Sequence, residues 1–216
     1  MFGGIRLNSL WGQPLPQSFY EKDTEDLAYA LLGVVLAHQT PEGLTAGRIV
    51  EVEMYRGSLD RAAHSYSGVA TKRTRVMFGP PGHAYVYFIY GMHYCLNVVS
   101  APEGKGEAIL VRALEPLVGL DIMARRRNMA LFNPSFSKDS QRLTNGPAKL
   151  AQALGINSRQ YGWPLFESPL SLHQIEDPVS KTKIARGPRI NVSYAKEAAD
   201  FDWRFWIRDN PFVSRG

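Results

Sequence analysis

Behind Asp23 and Thr24, a capping position followed by acids, Leu27, Ala28, Leu31, Leu32 and Val35 recur at helical spacing. They predict a core helix starting near Asp23 or Thr24. Over 47–57 the period drops to two. Val50, Val52 and Met54 point one way and Glu51, Glu53 and Tyr55 the other, a strand with one acidic face. Residues 60–78 read as broken helix, stopped by Gly79-Pro80-Pro81-Gly82. A β-rich run over 83–100 follows, with Tyr90-Gly91-Met92-His93 as its hairpin turn.

A further strand over 108–114 ends at Glu115-Pro116, and a helix over about 117–126 follows with its basic end at the C-terminus. A capped helix is predicted over 147–154, between polar Ser- and Pro-rich stretches at 128–143 and 167–182 that read as surface loops. Strands over 189–194 and 203–208 complete the chain. Residues 1–18 lack periodicity and read as an irregular arm. Alternating strands and helices predict a mixed α/β (α+β) fold, compact and largely antiparallel, with no internal repeat and no domain boundary.

Composition narrows this picture modestly. A chain of 216 residues with 44% hydrophobic content can bury one real core. A net charge of +5 and a pI near 9.3 favour an acidic partner, either nucleic acid or an anionic membrane, and fit a basic soluble protein equally well. Cys95 is the single cysteine, so no intramolecular disulfide can form and a reducing compartment, cytoplasm or nucleus, suits the chain. The longest apolar stretches, 31–37 and 84–89, are too short to span a membrane, and no export signal is visible.

Several residues carry candidate chemistry. Glu51 and Glu53 share a face with Tyr55, so one carboxylate can be desolvated beside an aromatic and act as a general base; solvated acids on an exposed strand fit the same pattern. Tyr85, Tyr87, Tyr90 and Tyr94 crowd around a turn that also holds Met92. Large side chains at such a tip can enter a base stack while neighbouring aromatics stack on an extruded base. Ordinary half-buried sheet positions account for Tyr85 and Tyr94. Arg112, read on one face with Leu110 and Leu114, is either exposed or buried against a carboxylate. Asn97, on an apolar strand, needs hydrogen-bond partners that are either structural or part of a pocket wall. His38, His64, His83, His93 and His173 show no zinc spacing, which predicts no catalytic metal. His64 fits a donor to a bound base, or a packed or surface residue.

Glu51-Val52-Glu53-Met54-Tyr55, Ala62-Ala63-His64-Ser65, Met77-Phe78, Tyr85-Val86-Tyr87, Ile89-Tyr90-Gly91-Met92, Asn97 and Arg112-Ala113-Leu114-Glu115-Pro116 together closely resemble the alkyladenine (3-methyladenine) DNA glycosylase family. The likeness continues through Gly146-Pro147-Ala148-Lys149-Leu150, Arg186-Gly187-Pro188-Arg189 and Asn210-Pro211-Phe212, covering about residues 22–212. Two positions depart from the family pattern: His93 stands where an aromatic is usual and Asn191 where glycine is common.

The resemblance implies an N-terminal arm at 1–21 and a single domain at 22–216, built on a curved antiparallel sheet with packed helices and a protruding hairpin that enters the DNA minor groove. It makes Glu53 the general base for water, with Arg112 positioning both. Tyr90 becomes the intercalating residue, with Met92 beside it. Tyr55 and Tyr87 stack on the flipped base, His64 hydrogen-bonds to it, and Asn97 guards against wrong purines. Arg73, Arg75, Met77 and Lys149 become candidate contacts to the DNA backbone, alongside Lys72. The implied activity is hydrolysis of the N-glycosidic bond of alkylated or deaminated purines in double-stranded DNA, by a monomer with no cofactor and no membrane partner. No lysine lies in the Glu53 motif, so a monofunctional enzyme that leaves an intact abasic site is expected. A non-enzymatic nucleic-acid-binding module of the same fold and a hydrolase of free nucleosides are the competing readings.

Overall fold

The computed structural model describes residues 11–129, 133, 137–174 and 178–214. Helix α1 (Thr24–Leu31) is capped by the Asp23 side chain, which accepts a hydrogen bond from the Glu25 amide, and it buries Leu27, Ala28 and Leu31. It is shorter than the sequence suggests. Gly33, at φ 92°, breaks the run, and Val35 opens a strand, β1 (Val35–Thr40), that the periodicity had absorbed into the helix. The apolar stretch is buried all round, so helix and strand share one local signature there.

Strand β2 (Gly43–Arg56) pairs antiparallel with β1 and with β5 (Glu107–Val118). Strands β3 (Ala84–Ile89) and β4 (His93–Ser100) pair antiparallel as a hairpin, and β4 pairs with β5 through residues 97–100. Strands β6 (Phe166–Glu167) and β7 (Leu170–His173) extend the other edge beside β1, while β9 (Arg204–Ile207) pairs with β2 and with β8 (Ile184–Gly187). Every one of these pairings is antiparallel, giving a curled sheet of nine strands among the described residues. Helices α2 (Leu120–Arg126), α3 (Ser137–Thr144) and α4 (Pro147–Leu154) accompany it, and α1, α2 and α4 share one apolar core with β2, β4 and β5. The fold is mixed α/β. No helix of the described residues is long and apolar enough to cross a membrane.

Two facing bulges set the central geometry. Ile49 pairs with Leu114 and Glu51 with Ala113, leaving Val50 as the extra residue of β2; Glu51 then pairs with Ala113 and Val52 with Val111, leaving Arg112 as the extra residue of β5. Each bulge reverses the alternation on its N-terminal or C-terminal side. Ile49, not Val50, therefore joins Val52 and Met54 in the main core, and Leu114 joins Ile109 and Val111 there, away from the Arg112 face.

Other expectations need correction. Residues 60–78 hold turns and the 3-10 segment Arg75–Phe78, not an α-helix. Strand β5 runs through Pro116 to Val118 before α2 begins, because β4 pairs only as far as residue 110 and leaves the proline's missing N–H without a required acceptor. The polar stretch at 128–143 contains most of α3, and that at 167–182 contains β7, whose four residues are buried; residues 130–132, 134–136 and 175–177 lie outside the described residues. Residues 189–194 form no strand; β8 lies just before them and a 3-10 segment, Ser193–Asp200, follows. Of the N-terminal arm, residues 1–10 lie outside the described residues, whereas Leu15 donates its amide to Leu172 O and Tyr20 is fully buried with its hydroxyl on Leu165 O.

Gly57, directly after β2, adopts φ 56°, and a Cβ there would collide with the Lys105 carbonyl oxygen. Gly57→Ala is therefore expected to lower the unfolding free energy by more than about 2 kcal/mol, of which ~1–2 kcal/mol is the left-handed backbone alone. Urea unfolding of both proteins measures this, and an unchanged midpoint would show that the turn relaxes freely.

Candidate active site

The acidic face of β2 is not solvated. Glu51 and Glu53 are both 0% exposed, and the bulge at Arg112 turns its guanidinium between them. Arg112 Nε donates to Glu51 Oε1 at 3.1 Å, and its Nη1 lies 3.2 Å from Glu53 Oε1. Burial opposes the charge on Arg112, but Glu53 and Glu51 outweigh it and raise its pKa above the ordinary value.

The two carboxylates differ in what is left over. Glu51 Oε1 accepts from Arg112, from Arg204 Nε at 2.7 Å and from Ser214 Oγ at 2.9 Å, and Oε2 accepts from the Ser214 amide at 2.6 Å. It is an anchor with its acceptors filled. Glu53 Oε1 accepts from the Ile190 amide at 2.7 Å and faces Arg112, while Oε2, among the described residues, accepts only from Tyr55 Oη at 2.9 Å. Against about four acceptor sites on a carboxylate, Glu51 has four donors and Glu53 three, which leaves Glu53 one site. Burial first, then the Glu53 charge, raises the Tyr55 pKa far above that of a free phenol, which keeps it a donor. Sequence reasoning had left Arg112 as exposed or paired; it is buried and paired.

Beside this pair lies a cavity of about 40 Å³ lined by Tyr55, Ala62, His64, Met77, Tyr85, Tyr87, Asn97, Ala108 and Tyr194. It gathers all four residues expected around a base: Tyr55, His64, Tyr87 and Asn97. Asn97 is buried, with Nδ2 donating to Tyr85 O at 3.0 Å, and so holds β4 to β3 while facing the cavity. His64 stands edge-on to Tyr87 at 4.6 Å, its Nδ1 2.8 Å from Tyr85 Oη and its Nε2 3.3 Å from Arg73 Nη2. Arginine can only donate, so Nε2 accepts and Nδ1–H donates to Tyr85. Desolvation of the packed ring, then Arg73, lowers the His64 pKa to about 4.

Met77, expected at the DNA backbone, is buried with Tyr85, Val99 and Ala108 and forms cavity wall instead. Tyr85 had read as an ordinary sheet tyrosine, yet its hydroxyl holds His64. Tyr194 was missed because nothing marks a lone tyrosine in an irregular segment. Arg189 was missed as well. It is clamped bidentate by Asp60 at 2.6 and 2.8 Å and stacks its guanidinium over Tyr55 at 4.7 Å. The adjoining Ile190 supplies the amide on Glu53, and Asn191, at φ 60°, occupies a left-handed position that asparagine tolerates better than most residues.

At the hairpin tip Tyr90 is 78% and Met92 68% exposed. Tyr90 and Gly91 both take positive φ, 54° and 69°, a conformation that costs a tyrosine about 1–2 kcal/mol. An open groove beside the hairpin is lined by Lys72, Arg73, Arg75, Tyr87, Phe88 and Tyr161, among others. Lys149 lies apart from that groove; its ammonium donates to Asn145 Oδ1 at 2.9 Å, and burial, with Arg127 and Arg142 nearby, lowers its pKa. His93, half-buried, lines a separate depression with Met92 and the C-terminal end of α4.

Residues 18–211 match the family model described as "Methylpurine-DNA glycosylase (MPG)". The chain is 47% identical over 205 residues to a Bacillus cereus (strain G9842) protein named "Putative 3-methyladenine DNA glycosylase", covering 93% of this chain and 98% of that one. Proteins of the same name from Bacillus cytotoxicus and Bacillus thuringiensis (strain Al Hakam) are 46% identical over the same proportions.

Glu51→Ala leaves the buried Arg112 and the half-buried Arg204 short of an acceptor and is expected to cost about 3–5 kcal/mol in urea unfolding. A loss below ~1 kcal/mol would mean that water enters the knot and that Glu51 anchors nothing. Stability should also depend on pH through His64. Its folded pKa, about 4, lies below the ordinary 6.5, so the folded state disfavours the proton; the contribution is complete above pH 6.5 and is lost as pH falls toward 4. The lowered pKa values of buried His38 and His173 act in the same direction. Unfolding midpoints at pH 7 and pH 5 should draw together in His64→Gln relative to wild type, and an unchanged difference would contradict the assignment.

Proposed function

The chain belongs to the methylpurine-DNA glycosylase family, and on that premise we propose that it flips alkylated or deaminated purines out of duplex DNA and hydrolyses their N-glycosidic bond. The observation that carries this reading is Glu53: wholly buried, held by Arg112, Tyr55 and the Ile190 amide, with one acceptor site left beside an aromatic cavity. A water bonded to that site can be aimed at C1′ of a flipped nucleotide. Its oxygen forms the new bond to C1′, its proton passes to Glu53, and the bonding electrons leave with the purine. Arg112 keeps the carboxylate in place and Tyr55 fixes its orientation. No amine nucleophile takes part, so the product is an intact abasic site.

Tyr55 and Tyr87 stack on the base and Asn97 faces its edge; a hydrogen bond from His64 to the base requires the base to replace Tyr85 or Arg73, which hold both of its ring nitrogens. A cavity of about 40 Å³ has room for about one water, so admission of a purine requires the wall to open, and the exposed Tyr194 is the part freest to move. Tyr90 and Met92 fill the vacated stack; a backbone conformation that is strained for tyrosine at a solvent-exposed tip supports that role. Lys72, Arg73, Arg75 and Lys149 supply cations for the phosphates and a salt-dependent affinity. The protein acts as a monomer in the cytoplasm or wherever the cell's DNA lies.

The test is base release from a duplex carrying one hypoxanthine, read as alkali-dependent strand cleavage, and repeated with 3-methyladenine-bearing DNA. Wild type should release the base and leave the strand uncut without alkali. Glu53→Gln should slow release about 10²–10⁴-fold, and Tyr90→Ala should lose activity while staying folded. Folded wild type that binds both DNAs but releases neither base would support the non-enzymatic binding module in its place.

A further inference from the structure

Both aromatic walls of the cavity are backed by a guanidinium that does not itself line it. Arg189 lies over Tyr55 and Arg73 over Tyr87, 5.3 Å from the ring centroid. Their charges are not equivalent. Asp60 neutralises Arg189 through two short hydrogen bonds. Arg73 pairs with no carboxylate among the described residues; its side-chain partners are the neutral His64, the Tyr85 hydroxyl and the Tyr87 ring. Tyr87 lines both the cavity and the outer groove, whereas Arg73 lines only the groove, so an unneutralised positive charge stands one ring away from the cavity.

That charge acts on two kinds of damaged purine differently. A purine alkylated at a ring nitrogen is a cation, and its stacking on a tyrosine draws on the negative face of the ring quadrupole. Arg73 already draws on the quadrupole of the same ring and, although solvent screens its exposed guanidinium in part, repels a second cation one ring away. A deaminated purine such as hypoxanthine is neutral and suffers neither effect. The hydrogen bond from Arg73 also leaves His64 neutral with its Nε2 occupied, so no additional cation forms in the wall.

Resting on the base-excision reading above, we propose that Arg73 is a specificity-determining residue that biases the site toward neutral, deaminated purines and against cationic, alkylated ones. A DNA phosphate contacting Arg73 adds equally to the binding of both lesions, so that part cancels in their ratio, and it lessens the bias only as far as it neutralises the guanidinium.

The experiment compares single-turnover excision, under saturating enzyme, from two duplexes that differ only in carrying hypoxanthine or 7-methylguanine. Arg73→Gln is expected to raise the 7-methylguanine rate relative to the hypoxanthine rate by about fivefold. Arg73→Lys, which keeps the charge, should leave the ratio within about twofold of wild type. Arg73 is exposed, so both variants should keep the wild-type thermal midpoint. A ratio unmoved in Arg73→Gln, on an enzyme that excises both bases, overturns this inference alone. Folded wild type that excises neither overturns the glycosylase reading and this inference with it.

Discussion

Four buried or nearly buried charges meet where β2, β5, β9 and the C-terminal segment come together: Glu51, Glu53, Arg112 and Arg204. Each ion taken from water costs several kcal/mol unless its partners are close and its remaining hydrogen bonds are met. Two carboxylates against two guanidiniums, with Ser214 donating both its amide and its hydroxyl to Glu51, satisfy that demand. The requirement reaches well beyond the pair. Arg112 can point between the glutamates only because it is the bulged residue of β5, and the facing bulge at Val50 restores the core alternation on β2. The knot thus fixes strand register, the docking of β9 and the course of residues near 214 together.

Within the knot the division of labour follows from counting acceptors. Glu51, with four donors, holds Arg112 and Arg204; Glu53, with three among the described residues, is held by Arg112 and keeps one acceptor site. Preorganisation of this kind suits a catalytic carboxylate, whose orientation is settled before any substrate arrives. The aromatic cavity is built the same way, with rings braced from behind. Tyr55 is braced by Arg189 and Asp60, Tyr87 by Arg73, and His64 by Tyr85. These braces set the charge around the cavity as well as its shape.

Much of this was legible along the chain wherever the signal is local. The hairpin turn at Tyr90-Gly91-Met92, the helix over Pro147–Leu154 with its proline start and glycine stop, and the alternation that puts Glu51, Glu53 and Tyr55 on one face all rest on spacing over a few residues. Such periods are properties of the backbone and need no partner. Strand β1 escaped because an apolar run buried on every side has no period to read, and β7 because its buried Ser171 and His173 make a polar-looking stretch whose only explanation is the sheet it joins.

By itself, the sequence determined the alternation of strands and helices, the acidic strand face, the apolar hairpin tip and, through the motifs that carry the family likeness, the residues Glu53, Arg112, Tyr55, His64, Tyr87 and Asn97. Tertiary structure alone decided that the acidic face is buried, that Glu51 anchors while Glu53 stays available, and that Met77 turns inward. It also brought in Ile190, Arg189 and Ser214, from 129 to 163 residues along the chain from the groups they bond. The reason is physical. Spacing fixes which way a side chain points relative to its own backbone, whereas burial, bulge register and the number of donors on a carboxylate are set by strands that meet only after the chain has folded.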